Sequence, residues 1–211
     1  MVTEAAKHGM MIVPHAEQTC PMRLLRFIVP LVLLFVSLVP ATDATTADPF
    51  VRPKDASGPL VHRYSRYSFP ARLGRFHRVM PLQYDAFGRD VSVGYNLEFP
   101  PIVITIYVYP AGRTSLEQEL ARLQGEITGM HSNPRLVARG TTTVSPRKVR
   151  ALSVEYTYTE KFAGTVQLLR STLLVARNKQ LFVEYRITYA ASSTPVADKL
   201  ARLLVQDFAW P

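Results

Sequence analysis

Residues 62–78, "HRYSRYSFPARLGRFHR", place five arginines, two histidines and four aromatic rings in seventeen positions without a single acid. Arg63, Arg66, Arg72, Arg75 and Arg78 recur at multiples of three, interleaved with Tyr64, Tyr67, Phe69 and Phe76, and the acid-free stretch runs from Ala56 to Tyr84. A guanidinium is a planar fork that grips phosphate or carboxylate with two parallel hydrogen bonds. Cations alternating with rings are also what single-strand nucleic acid binders use, charge for phosphate and rings for bases. A plainer reading is an extended entry segment whose rings dock on a core while its arginines stay in water. In a strand, residues three apart point to opposite faces, so a regular β-segment could not aim all five arginines into one groove.

Other chemistry is scarce. Glu155 and Glu184 are the carboxylates expected to be partly buried, and a pair of acids could act as the acid and base of a secreted hydrolase, with a nearby tyrosine. The competing reading makes them structural, Glu155 paired with Arg170 across a hairpin and Glu184 with Arg186 beside it in the chain. His62, His77 and His131 have no partner histidine or carboxylate at metal-ligand spacing, and they read as surface or loop residues. No G-x-S-x-G turn announces a serine nucleophile, although convergent triads carry no sequence signature. Glycine-rich phosphate cradles are missing too, and "YDAFGRD" suits a hairpin turn better than a calcium loop. Catalytic residues, metal and cofactor are therefore all expected to be none.

The 211 residues carry a net charge of +9, with nineteen arginines against six lysines, and 47% are hydrophobic, enough for one folded domain with a real core. Their most specific signal is "MRLLRFIVPLVLLFVSLVPATDA", residues 22–44: Arg23 and Arg26, an uncharged run from Phe27 to Val39, then small residues for cleavage after Ala41 or Ala44. A spanning helix needs about 20 apolar residues, and this run is shorter, so residues 22–41 are expected to be a secretion signal. Residues 1–21 lack periodicity and read as an extension before the true start at Met22. Cys20, the only cysteine, precedes the apolar run, so it is neither a lipidation site nor half of an internal disulfide. Export removes nucleic acid as a partner. It leaves an envelope protein or an anionic polymer or lipid, with peripheral contact at a membrane surface open. The expected location is periplasmic or secreted.

The elements that must hold these groups come from periodicity. Residues 42–61 read as a flexible leader and 62–211 as one domain. "RDVSVGYNLEF" alternates Val91, Val93, Tyr95 and Leu97 with polar neighbours, as a strand with one wet face would. "PPIVITIYVYP" suits a central strand covered on both faces. "VRALSVEYTYTE", "TVQLLRSTLLVA" and "LFVEYRITYA" follow one another through the turns "KFAG" and "RNKQ". Two stretches change to helical period. One has Leu116, Leu120, Leu123, Ile127 and Met130 behind a Thr114/Glu117 capping box. The other opens on Thr194 and Pro195, with Val196, Leu200, Leu203 and Leu204 as its stripe. The order argues for an α+β fold with a largely antiparallel sheet of about six or seven strands and two amphipathic helices packed on it.

A secretion signal, three strands, a helix, a meander ending "LFVEYRITY" and a closing helix ending "FAWP" resemble small exported bacterial proteins of the PsbP-like superfamily. That group includes extrinsic photosystem II subunits and DcrB-type periplasmic lipoproteins. The resemblance covers roughly residues 66–211 and rests on element order and the "FVEYR-x-TY" phrase around Arg186. It implies a sandwich of sheet and helices with a binding or assembly role, and it carries over no catalytic residue. The chain departs from the lipoprotein members in having no cysteine after its signal. The function expected is an exported envelope protein that binds or assists without catalysis; the alternative is the carboxylate-based hydrolase.

Overall fold

The β-branched and aromatic runs become strands, seen in a computed structural model that describes residues 48–55 and 57–211. The N-terminal extension, the export signal with its cleavage sites and the first residues of the leader lie outside the described residues. In chain order the elements are β1 (Phe50–Val51), β2 (Leu60–His62), β3 (Ser68–Phe69), β4 (Arg72–Leu73), β5 (Phe76–Gln83), β6 (Val91–Leu97), β7 (Ile102–Pro110), α1 (Leu116–Met130), β8 (Arg135–Val144), β9 (Val149–Phe162), β10 (Thr165–Asn178), β11 (Leu181–Ala190) and α2 (Thr194–Asp207). Eight strands form one sheet in the order β4-β5-β6-β7-β11-β10-β9-β8, and β1-β2-β3 form a second, small sheet. Every pairing is antiparallel. The α+β class and antiparallel sheet stand; the strand number exceeds the expected six or seven.

The large sheet is covered on two faces because its strands bury alternate residues on each side. On one face Val93, Tyr95, Ile104, Ile106, Val183, Tyr185 and Ile187 meet Ala197, Ala201, Leu204 and Val205 of α2, and Phe50, Leu60 and Phe69 from the small sheet join the same cluster. On the other face Val154, Tyr156, Leu173, Val175 and Phe182 meet Leu123 and Ile127 of α1. The described part of the expected leader is thus structural, with Phe50 and Leu60 both buried. Strand β6 has no wet face either. Ser92 is buried, and Val79 leans so closely on Gly94 that a Cβ there would lie 2.4 Å from Val79 Cγ2.

Local signals shift by a residue or rotate where packing decides. Ser115, not Thr114, caps α1: its hydroxyl accepts from the Gln118 amide at 3.1 Å, and the Gln118 side chain accepts from the Ser115 amide at 2.9 Å. Thr114 is used instead in the preceding turn, where its amide donates to the Ala111 carbonyl. In α2, Ser193 is the cap and Thr194 the first helical residue. The expected α2 stripe is turned: Val196 and Leu203 are exposed, while Ala197, Ala201, Leu204 and Val205 face the sheet. Two alanines let the helix backbone approach closely, and the same stripe runs on into buried Phe208 and Trp210.

His62 overturns its reading as a surface residue. It is fully buried on β2, with Nδ1 at 2.6 Å from Ser65 Oγ and Nε2 at 2.7 Å from the Gly88 carbonyl. A carbonyl only accepts, so Nε2 carries the proton and Nδ1 accepts from Ser65. Burial holds this imidazole below its ordinary value, against the smaller opposing effects of the Gly88 bond and Asp85. The unfolded chain therefore takes up a proton that the folded chain refuses. The stability from neutral His62 is complete above about 6.5 and is lost as pH falls below it. Urea unfolding between pH 7 and 5 is expected to show a slope of up to about 1.4 kcal/mol per pH unit that His62→Gln removes; equal slopes would show that His62 titrates normally.

Candidate functional site

The arginine-rich stretch is not one strand. The chain reverses between β2 and β3, where Arg66 takes φ 63°, and again between β4 and β5, at Gly74 with φ 55°. Tyr67, Phe69 and Phe76 turn into the core, whereas Tyr64 is half exposed. Arg63 and Arg66 lie in the turn after β2; Arg72, Arg75 and Arg78 belong to the short β4–β5 hairpin at the edge of the large sheet. Opposite Arg72 stands His77, and both are exposed.

Three of the five guanidiniums fasten backbone. Arg63 Nε donates to the Asp48 carbonyl at 3.1 Å, and Arg75 donates to the Phe99 carbonyl at 3.2 Å. Arg78, only partly exposed, donates to the carbonyls of Gly58 at 3.0 Å and Phe69 at 2.6 Å, clamping the small sheet and the segment before β2 onto β5. Around it are two shallow depressions that share Arg78 as a wall. One, of about 510 Å³, is lined by Ser57, Pro70, Ala71, Arg72 and His77. The other, of about 540 Å³, is lined by Arg52, Lys54, Asp55, Leu60 and Met80 among others, and Met80 is 78% exposed. The edge therefore offers cations around a half-apolar rim, with two acids nearby: Asp48, paired with Arg52, and Asp55, which is held by Ser57 and the Gly58 amide.

The α1 face holds a second constellation, of which the sequence announced only the pair of Glu184 with Arg186. Glu184 on β11 and Glu119 on α1 are both buried, and the Tyr109 hydroxyl lies 2.7 Å from Glu119 Oε1 and 3.2 Å from Glu184 Oε2. One phenolic proton serves the closer oxygen. Arg186 pairs with Glu184 and, at 2.6 Å, with Glu126; Arg122 pairs with Glu119 and Glu126. Arg186 also lies over the Tyr107 ring, 5.0 Å from its centroid. Burial raises the Glu184 carboxyl above its usual range, with Arg186 and Tyr109 pulling the other way, and burial pushes the Tyr107 hydroxyl up to about 12. The network is satisfied from within the protein, which suits a strut between α1 and the sheet. One signal for it was present: Glu119, Leu123 and Ile127 stand at steps of four, so Glu119 shares the buried stripe.

Glu155 and Glu184 do not come together. Glu184 faces Val175, which faces Leu152, a residue of the α1-side core; Glu155, three positions on, projects from the opposite face. The pair of acids required by the hydrolase reading is separated by the sheet. Arg170 does sit beside Glu155, though diagonally: the register places Thr172 opposite Glu155 and Thr157 opposite Arg170. His131 bonds Glu160 at 2.6 Å and stacks on Tyr158. Among the described residues no group of three or more His, Cys, Asp or Glu is placed to hold a metal ion.

No protein-family model and no curated protein matches the chain. Solved structures that match include a Pseudomonas aeruginosa protein of unknown function, at 13% identity and TM-score 0.39, covering 50% of this chain and 70% of that one. They also include LpqN of Mycobacterium tuberculosis, a protein involved in cell envelope biogenesis, at 11% identity and TM-score 0.43, covering 74% of this chain and 86% of that one. Likeness at that level is too distant to carry a functional argument.

Proposed function

We propose that the chain is an exported binding or accessory protein of the PsbP-like kind, without catalysis of its own, whose basic sheet edge docks on anionic groups of an envelope partner. The observation that carries this reading is the β4–β5 edge, where exposed Arg72 and His77 line one depression, Lys54 and exposed Met80 line the next, and exposed Arg75 stands in the hairpin turn between Arg72 and His77. Cations at the rim meet phosphate or carboxylate, and the methionine suits an apolar boundary behind them. The alternative hydrolase loses its acid and base pair to the sheet. No helix among the described residues is long and apolar enough to cross a membrane, so any contact with a bilayer made by those helices is at its surface.

Vesicles of phosphatidylglycerol test the reading against vesicles of phosphatidylcholine. Retention is expected on the anionic vesicles alone and is expected to weaken as salt rises through the Debye regime. Each surface cation contributes about 1 kcal/mol at an anionic leaflet, so R72E/R75E is expected to weaken retention by roughly 30-fold or more. Both residues are exposed, and the one bond lost is the exposed contact of Arg75 with the Phe99 carbonyl, so the fold should persist. Retention that is indifferent to salt, or unchanged by R72E/R75E, would remove the basic edge from the function.

A further inference from the structure

Strands β4 and β8 are the two edges of the eight-stranded sheet, and at about 4.8 Å per strand they stand roughly 30 Å apart. An edge strand offers unpaired backbone donors and acceptors to any other chain, and folded proteins blunt it with short strands, bulges, proline or a covering segment. The β4–β5 edge has all of these. Strand β4 covers β5 only at Phe76 and His77, β5 breaks register between Arg78 and Pro81, and Arg52 to Lys54 lie alongside Met80. Strand β8 is finished differently: it is 10 residues long, holds no proline, and is exposed at every position from Arg135 to Thr143. Its register shift falls between Leu136 and Ala138, which leaves Ala138 to Val144 in unbroken pairing with β9. Among the described residues no strand pairs with its outer side.

The side chains along this edge define the strand that would fit it. On the α1 side, Arg139 and Thr141 stand opposite Val154 and Leu152, and Thr143 stands opposite Arg150. Arg139 and Arg150 therefore share one face, and four residues of strand, about 13 Å, separate them along the edge. Arg135 and Arg139 have no ion-pair partner among the described residues. Arg150 reaches Glu117 only at 3.9 Å, with both side chains more than half exposed, a contact that yields to a better-placed acid. Glu160, further along β9, is taken by His131. On the α2 side the strand presents Ala138, Gly140 and Thr142, whose small side chains leave room for larger ones.

A second chain laid along β8 would alternate its side chains between those two faces. Acids at i and i+4 on one face would meet Arg139 directly and Arg150 across Thr143, where the long arginine stem supplies the reach. β-Branched residues on the other face would fill the space over Ala138 and Gly140. A second copy of this chain fits less well, because its own β8 brings arginines and no acid to answer them. We infer that β8 takes up an extended acidic segment of a partner protein as a further antiparallel or parallel strand of the sheet.

The test is a titration of the isotopically labelled protein with the capped peptide TEVTVET, whose glutamates stand at i and i+4, followed by amide chemical shifts. Saturable shifts are expected along residues 138–144 and not on β5, and the lysine peptide TKVTVKT should cause none. Arg139→Glu should weaken TEVTVET roughly tenfold and let TKVTVKT bind, a reversal that loss of folding would not produce. Backbone pairing has its own control. Alternate amides of an extended chain point to the same side, so TEVTVET is also made with its two valine nitrogens methylated, or with those of its glutamates and central threonine. One of these two forms should fail to bind although it keeps both charges. Several results would overturn the inference: no saturable shift at millimolar peptide, shifts confined to other strands, the same Kd in Arg139→Glu, or undiminished binding of both methylated forms. Dimerisation of the protein alone with protection of the β8 amides would overturn it as well, by giving the edge to a second copy. Vesicle retention through Arg72 and Arg75 reports on the other edge, so the two readings fail independently.

Discussion

Phe208→Ala is expected to lower the folding free energy by about 4 kcal/mol, and with it the melting temperature by roughly 8–16 °C for a domain of this size. Phe208 has no exposed surface. Its ring stacks on Tyr67 at 5.9 Å between centroids and also meets Phe69 at 5.4 Å and Tyr185 at 6.2 Å. Those partners come from β3, the β2–β3 turn and the centre of the large sheet, so the four residues after α2 act as a plug between them. Trp210 completes it: its indole N–H donates to the buried Tyr185 hydroxyl at 3.0 Å, and the Tyr67 hydroxyl accepts from the Asn178 amide at 2.8 Å. Truncation at Phe208 opens a cavity that the three surrounding rings, two of them fixed by hydrogen bonds, cannot collapse to fill. Leu203→Ala, nearby on the exposed side of α2, is the control and should cost under about 0.5 kcal/mol. Urea unfolding of both variants decides the matter. A loss for Phe208→Ala no larger than for Leu203→Ala would mean that the tail is not part of the core.

That tail shows why periodicity reads some of this fold and not the rest. Leu152, Val154, Tyr156 and Tyr158 alternate over a long strand, and all four are buried on one face as alternation requires. Strands of two or three residues have no period to detect, so β1 to β4 and the burial of His62 were invisible beforehand. Helix α2 carries two overlapping stripes, one of Val196, Leu200 and Leu203, the other of Ala197, Ala201 and Val205, with Leu204 between. Side-chain size favours the first and close approach to the sheet favours the second. Only the sheet settles it.

Register decides the candidate site in the same way. Glu155 and Glu184 both stand in strands of alternating character, and nothing in either strand says which face its acid takes. Their faces are fixed by the two-residue turns at Ala163–Gly164 and Lys179–Gln180, where Ala163, Gly164 and Lys179 take positive φ. One residue more or less in either turn would invert the parity and bring the acids to one side. The spacing of the arginines was a poor guide to their placement for a related reason. Spacing along a single strand argued against a shared surface, but two chain reversals within seventeen residues put Arg72 and His77 side by side.

Arg186→Ala is expected to cost about 3–5 kcal/mol near neutral pH, because it leaves a buried carboxylate without its counter-charge. Glu184 is only 1% exposed, and burial already raises its carboxyl while Arg186 restrains the rise. Without the guanidinium, the hydroxyl still within reach is that of Tyr109 at 3.2 Å, whose one proton serves Glu119 at 2.7 Å, so the folded-state value climbs further above the ordinary 4.5. A carboxyl raised on folding contributes stability that is complete below its unfolded value and lost as pH rises through its folded value. The deficit of Arg186→Ala should therefore be smallest near pH 4.5 and grow toward neutrality. Glu184→Gln added to Arg186→Ala should recover much of the loss, since an amide needs no counter-charge, and should flatten the pH dependence. Glu184→Gln alone should cost less than Arg186→Ala, because Arg186 keeps Glu126 at 2.6 Å. Urea unfolding of the four proteins from pH 4.5 to 8 measures this. A loss that is constant across the range and not recovered by Glu184→Gln would assign Arg186 to packing over the Tyr107 ring and not to charge.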